Sequence, residues 1–182
     1  EEIPDWMIVP ALGQLREQVQ TLLDGNSLVG KVTWVDATPR RLALRADGLI
    51  ERQADSKEIK KGPPVAGGQK AAEGFARKQG IPLESLTQEG GYFVGTKLVT
   101  GRAASDILAA ELPGLVLKIQ WPKAMYWTGG KTGPRFIRPI RWIVALLGDN
   151  VVRLEIAGVP SGAITRGHRK LEREIGLGET AD

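Results

Sequence analysis

The chain has 182 residues, of which 42% are hydrophobic and 25% charged, and 25 Lys and Arg against 21 Asp and Glu give a formal net charge of +4. This composition is ordinary for a folded globular protein and excludes a disordered or low-complexity chain. With no cysteine and one histidine, disulfides, thiol nucleophiles and Cys/His zinc sites are excluded as well. The apolar run at residues 143–147 is far shorter than the ~20 residues of a membrane helix, so we expect a soluble protein.

The first predicted elements are a helix and a β-hairpin. Apolar side chains recur at helical spacing over residues 4–23, with Pro4 in the first turn and Gly25 just past the end. Two runs rich in β-formers, 28–34 and 41–46, follow. They predict a hairpin with its turn at residues 36–40.

The middle of the chain contains the strongest predicted loop. Residues 56–68 contain two prolines and three glycines, a composition typical of turns and linkers. We therefore expect residues 56–68 to be a loop that joins two lobes, 1–60 and 69–182. Within the second lobe, the pattern predicts a helix over 71–79 that ends at Gly80, and then a strand over 92–99.

The last predicted elements are a helix and a second hairpin. The pattern over residues 103–112 is helical, and Pro113-Gly114 is expected to end it. The β-branched runs 141–147 and 151–159 predict a hairpin that turns at 148–150. Since helices and strands alternate without regular βαβ spacing, the pattern favours an α+β fold of mixed or antiparallel sheets with packed helices over a doubly wound sheet.

The positive charge is concentrated in one segment. Residues 1–117 hold 14 basic and 15 acidic side chains, whereas residues 118–173 hold 11 basic and 3 acidic ones, a net charge of +8. Seven of those 11 are arginines, whose planar guanidinium suits phosphate. A solvated surface is one interpretation. The scarcity of acids favours the other, a surface that binds RNA or phosphate.

Three tryptophans lie within the basic segment. Trp142 opens an apolar run, and we interpret it as a core residue. Trp121 and Trp127 are either core residues or stacking platforms for unpaired bases.

No catalytic motif is complete. Residues 129–132 read Gly-Gly-Lys-Thr, but Met125 stands where a phosphate-binding loop requires glycine. Ser161 and His168 lack the nucleophile-elbow pattern of a hydrolase, and the carboxylates are dispersed. The sequence predicts no catalytic centre.

Several strings along the chain resemble one family. The strings are EEIP (1–4), ATPRRLAL (37–44), KGPP (61–64), AAEGFAR (71–77), WPKAMYW (121–127), RFIRPIRWIVALLGD (135–149), and EIAGV, SG and TRGHR between 155 and 169. Together, and in this order over nearly all of residues 1–182, they resemble the N-terminal region of the β subunit of the bacterial-type, heterotetrameric glycyl-tRNA synthetase.

The resemblance implies the following expectations. The parent enzyme attaches glycine to its tRNA using ATP, and its ATP and Mg sites lie on the separate α subunit, so we expect no cofactor and no catalytic residue in this fragment. The partners would be the α subunit, glycine tRNA and the remaining β-subunit domains, in the cytoplasm. The fold would be similar to the B3/B4 module of the phenylalanyl-tRNA synthetase β subunit, which houses editing in that enzyme.

The leading hypothesis is a non-catalytic module for tRNA recognition and assembly. Arginines 135, 138 and 141 recur every third residue, so they cannot share one strand face, and Pro139 favours an irregular segment there. The alternatives are a scaffold that docks the α subunit without contacting RNA, and a vestigial editing-type domain. The candidate RNA-binding residues are Arg135, Arg138, Arg141, Arg166, His168, Arg169, Arg40, Arg41 and Lys123.

Overall fold

The computed structural model describes residues 2–127, 132–167 and 174–176. The chain divides into two compact units, residues 1–53 with 102–182 (unit 1) and residues 54–101 (unit 2). None of the helices in the described ranges is long and apolar enough to cross a membrane.

Unit 1 opens with the predicted helix and hairpin. Helix α1 (Asp5–Gly25) buries a stripe of apolar side chains, as the spacing predicts. Strands β1 (Lys31–Thr38) and β2 (Arg41–Asp47) pair in antiparallel fashion, which confirms the hairpin. The predicted turn at 36–40 is too long, because residues 36–38 pair with residues 41–43 and leave only Pro39 and Arg40 in the turn.

Helix α3 (Ala104–Leu117) runs past the predicted stop at Pro113-Gly114. Proline inside a helix removes a hydrogen-bond donor and crowds the preceding turn, which favours termination. Here the following turn places Leu115 in the core at 8% exposure. Burying a leucine side chain stabilises by roughly 1.5–3 kcal/mol, enough to offset much of the cost of Pro113.

The rest of unit 1 consists of short strands. The strands are β6 (Met125–Tyr126), β7 (Arg135–Phe136), β8 (Ile143–Val144), β9 (Leu146–Leu147), β10 (Asn150–Val151), β11 (Glu155–Ile156), β12 (Val159–Gly162), β13 (Ile164–Arg166) and β14 (Glu174–Gly176). The predicted hairpin is confirmed by the antiparallel pair β9–β10, but its turn is one residue shorter than predicted, because Asn150 pairs with Leu147, and each long predicted strand is broken into shorter ones. Strand β8 pairs in parallel with β12, which also pairs with β11.

Two apolar clusters form the core of unit 1. The first joins the second half of α1, β1, α3 and residues 152–156, and Leu28 and Ile107 within it are 0% exposed. The second joins the first half of α1 to residues 119–121 and 136–137. There the Trp121 ring meets Phe136 edge to face, with the ring centroids 5.2 Å apart. Trp121 is therefore a core residue.

Unit 2 is a three-stranded antiparallel sheet in the order β3 (Ser56–Pro64), β5 (Tyr92–Val99) and β4 (Leu86–Glu89). The prediction of a loop over 56–68 that joins two lobes is thus wrong, because most of this segment is strand β3. An edge strand tolerates Pro63 and Pro64, since only one of its sides needs backbone donors. The strand register is also irregular between Lys61 and Pro64.

Helix α2 (Gly68–Gln79) confirms the predicted helix, and Gly80 ends it in the left-handed conformation with φ of 65°. The helix side of the sheet is tightly packed. A Cβ atom on Gly95 would lie 2.7 Å from the Ile81 side chain, and one on Gly62 would lie 2.9 Å from the Phe75 ring. The α+β prediction is confirmed, and the likeness to the B3/B4 module stays a prediction.

Candidate nucleic-acid interface

The β1–β2 turn carries the first candidate pair, Arg40 and Arg41. Arg40 is exposed, and its guanidinium carbon lies 5.9 Å from the centroid of the Trp142 ring, within the range of a cation–π contact. Trp142 is half-buried and belongs to neither core cluster. Its interpretation as a core residue is therefore wrong, because its ring lies beneath a surface arginine.

Arg41 connects the hairpin to strand β13. Its Nη2 donates to the main-chain carbonyl oxygen of Arg166, 125 residues away in sequence. Arg41 is half-buried, and its Nε is buried without a hydrogen-bond partner. This side chain therefore has an anchoring role and also retains an unused donor.

Arg138 anchors the start of the chain to the same region. Its Nε donates to the carbonyl oxygen of Glu2 at 3.3 Å, and its Nη1 donates to the carbonyl oxygen of Ile137 at 3.4 Å. The next amide, that of Ile3, donates to the carbonyl oxygen of Pro39. These contacts bring three segments that are distant in sequence, around residues 39–41, 138 and 166, to one part of unit 1. We call Arg40, Arg41, Arg138 and Arg166, with the Trp142 ring, the arginine cluster.

The remaining candidates in the described ranges lie outside these contacts. Arg135 is exposed on β7 opposite Tyr126 of β6, and its guanidinium carbon lies 5.7 Å from the Tyr126 ring centroid. Lys123 is exposed just before β6, and Arg141 is exposed beside Trp142 in sequence. His168 and Arg169 lie outside the described residues, as do Gly129 to Lys131 of the Gly-Gly-Lys-Thr run.

The charges of the β1–β2 hairpin show a contrast along its length. Arg45 forms an ion pair with Asp47, with Nε and Oδ1 2.8 Å apart. The Thr33 hydroxyl and then Arg45 hydrogen-bond to this carboxylate and lower the pKa of Asp47. Arg40 and Arg41, at the other end, take part in no ion pair with a residue that the structure describes. Within the ranges that the structure describes, no acidic side chain pairs with the arginines at the turn end of the hairpin.

The described part of the chain shows no metal cluster, since no three His, Cys, Asp or Glu side chains there lie close enough to hold an ion. The exposed guanidinium groups of Arg40, Arg135 and Arg141 suit the recognition of anions. The sequence identified the arginines by charge, but it did not identify the aromatic partners Trp142 and Tyr126. The sequence signal that could have identified these two rings is their position within the basic segment, residues 118–173.

An α+β chain whose basic surface combines arginines with aromatic rings has the features of a nucleic-acid-binding module. The sequence profile of the family described as "Glycyl-tRNA synthetase beta subunit" matches residues 1–182. The chain belongs to this family, which confirms the resemblance found in the sequence.

Individual relatives agree with the family match. The chain is 42% identical to the "Glycine--tRNA ligase beta subunit" of Acidobacterium capsulatum, over 94% of this chain and 26% of that protein. It is 39% identical to the protein of the same name from Picosynechococcus sp., over 100% of this chain and 27% of that protein. It is 36% identical to "Glycine--tRNA ligase, chloroplastic/mitochondrial 2" of Arabidopsis thaliana, over 93% of this chain and 17% of that protein. The chain thus spans about a quarter of the bacterial relatives.

Proposed function

We propose that this chain is a non-catalytic tRNA-recognition and assembly module of a glycine–tRNA ligase, the enzyme that attaches glycine to its tRNA using ATP. In this proposal the ATP and Mg sites lie on the α subunit, and the arginine cluster, together with the exposed Arg135 and Arg141, contacts tRNA phosphates. The observation that carries the proposal is that Arg40 lies over the Trp142 ring while Arg41 and Arg138 hold the main-chain carbonyls of Arg166 and Glu2 near the same hairpin turn. The family and the names of the relatives support the choice of glycine tRNA.

The half-buried guanidinium of Arg41 favours contact with an anion. Partial burial of a cation is costly unless an anion or several acceptors compensate it. One carbonyl oxygen accepts from Nη2 while Nε has no acceptor. A phosphate can accept two parallel N–H bonds from one guanidinium, and such charge-assisted bonds are about twice as strong as neutral ones. Because Nε itself is buried, we expect an RNA phosphate to bind the solvent-facing side of the Arg41 guanidinium.

The aromatic rings add a second type of contact. Arg40 over Trp142 and Arg135 over Tyr126 each present a planar cation on a ring. Planar arginine and aromatic groups stack on exposed bases in RNA-binding proteins. Phosphate contact and stacking together support RNA over a simple inorganic anion.

A second function, docking of the α subunit, is favoured by the outer side of α1. Trp6 is 61% exposed and Val9 76% exposed, and Pro10 and Gly13 lie on the same side of the helix. A Cβ atom on Gly13 would meet nothing within 4 Å. An uncharged apolar surface around a tryptophan is typical of the centre of a subunit interface.

Charge reversal at Arg135 separates the two functions, because this exposed side chain donates to no main-chain carbonyl oxygen among the residues that the structure describes. In the complete αβ enzyme carrying Arg135→Glu, we expect the slope of log K against log salt for tRNA binding to fall by about 0.7–0.9, the value for one lost phosphate contact. Sedimentation without RNA should be unchanged. A variant that sediments as dissociated subunits yet retains the wild-type salt slope would favour docking and contradict the phosphate contact.

A further inference from the structure

The sheet of unit 2 has one covered and one open face. In antiparallel pairs, directly opposed residues point to the same face, and alternate residues along a strand share a face. The Cβ position of Gly95 faces Ile81 and Phe75 of α2. Its partners in the ladder, Lys60 and Leu86, lie on this same covered face. The pairs Lys57–Leu98, Ile59–Thr96 and Lys61–Val94 must therefore point to the opposite face.

The open face combines exposed apolar groups with lysines. Ile59 is 72% exposed, Leu98 62% and Tyr92 38%. Lys57 and Lys61 alternate with Ile59 along β3, and both are exposed. The one acidic residue that the register places on this face is Glu89, opposite Tyr92 at one end. With Lys57, Lys61 and Glu89, the open face therefore has a net positive charge.

The lysines of the two faces differ in their partners. Lys60 on the covered face forms an ion pair with Glu58 at 2.7 Å. Lys57 and Lys61 form no ion pair with a described residue, and the Lys61 ammonium lies 4.0 Å from the centroid of the Tyr92 ring. A cation this close to the ring face shows that the ring face is directed to the open side of the sheet.

We propose that this open face is a binding platform for single-stranded RNA, in which a base stacks on Tyr92 as the Lys61 ammonium moves from the ring to a phosphate, and a neighbouring phosphate contacts Lys57. The proposal rests on the proposed tRNA function and extends it to unpaired nucleotides. Sheet surfaces with exposed aromatic side chains bind unpaired bases by stacking, and lysines beside them follow the backbone. Ile59 and Leu98 provide apolar contact for further bases or riboses.

A protein partner fits this face less well. Protein interfaces are depleted in lysine at their centres, because a charged ammonium is costly to desolvate there. On this face the lysines are interleaved with the apolar residues, since Lys57, Ile59 and Lys61 occupy successive outward positions of β3. Phosphates would neutralise the two ammonium groups, whereas an apolar protein surface would not.

The test uses the complete αβ enzyme and two probes, a fluorescent 12-nucleotide single-stranded RNA of mixed sequence and a glycine tRNA transcript. Tyr92→Ala should weaken binding of the 12-mer by about 5- to 150-fold, the range for loss of one base stack. Tyr92→Phe, which keeps the ring, should bind within about twofold of wild type. Lys57→Glu, an exposed change away from the helix side, should also weaken binding and lower its salt slope by about 0.7.

The matched control is Lys78→Glu, which makes the same charge change on the exposed side of α2 and should leave 12-mer binding unchanged. Wild-type affinity in both Tyr92→Ala and Lys57→Glu would overturn the platform, as would weaker subunit association with unchanged RNA binding. Arg135→Glu measured in parallel separates the two proposals. If it alters tRNA binding while the Tyr92 and Lys57 variants do not, only the platform is wrong.

Discussion

A β subunit that carries Arg40→Glu, Arg135→Glu and Arg141→Glu together is expected to bind glycine tRNA at least about tenfold more weakly within the αβ enzyme. All three side chains are exposed, so their reversal leaves the core intact. Each reversal removes a phosphate contact and sets a carboxylate against the RNA backbone. The slope of log K against log salt should fall by about 2.1–2.7, which is three times the value for one contact.

Arg138 and Arg41 are left unchanged in this variant because both anchor main-chain carbonyl groups, and their reversal would disturb the fold. The control makes the same charge change on α2 with Lys70→Glu, Arg77→Glu and Lys78→Glu, all exposed. Equilibrium tRNA binding, measured at about six salt concentrations between about 50 and 300 mM, gives the salt slope of the triple variant and that of its control. A triple variant indistinguishable from its control would contradict the account of the arginine surface.

Ile107→Ala is expected to lower the free energy of unfolding of unit 1 by about 2–5 kcal/mol. Ile107 is 0% exposed and packs in the first core cluster with Leu23, Leu28 and Ala104. The substitution removes three carbon atoms and leaves a cavity, and both the lost burial and the lost contacts destabilise the fold. This loss would be a large fraction of the stability of a domain of this size.

Tryptophan fluorescence during urea titration measures this loss selectively, because all five tryptophans, at positions 6, 34, 121, 127 and 142, lie in unit 1. Glu111→Ala, an exposed change on the same helix, is the control and should change stability by less than about 0.5 kcal/mol. Equal urea midpoints for the two variants would show that Ile107 is not in the core as described.

Local patterns predicted the elements that local interactions determine. The stripe of α1 and the left-handed Gly80 after α2 are readable within one or two turns of sequence, and both were predicted correctly. Strand β3 was missed because its Gly and Pro residues are typical of a loop, whereas its partner, β5, lies about 40 residues later. Pairing with a distant strand overrides local propensity.

The extent of α3 was missed for a related reason. Pro113 is a strong local stop signal, yet the burial of Leu115 depends on α1 and on residues near Leu154, which the local sequence does not reveal. The same limit applied to the candidate site. Division of the net charge along the chain identified the basic segment, but it could not pair Arg41 with Arg166 or place Arg40 over Trp142. Those contacts depend on the folded arrangement of three separate segments.

Photocrosslinking of a 4-thiouridine-labelled glycine tRNA in the complete αβ enzyme, followed by mass spectrometry of the crosslinked peptides, identifies the segments that contact the tRNA. We expect crosslinks within residues 31–47 and 132–167, the ranges that carry Arg40, Arg41, Arg135, Arg138, Arg141 and Arg166. These crosslinks should disappear in the triple arginine variant. Efficient crosslinks confined to other parts of the enzyme, with none in either range, would contradict the proposed contact of these arginines with tRNA.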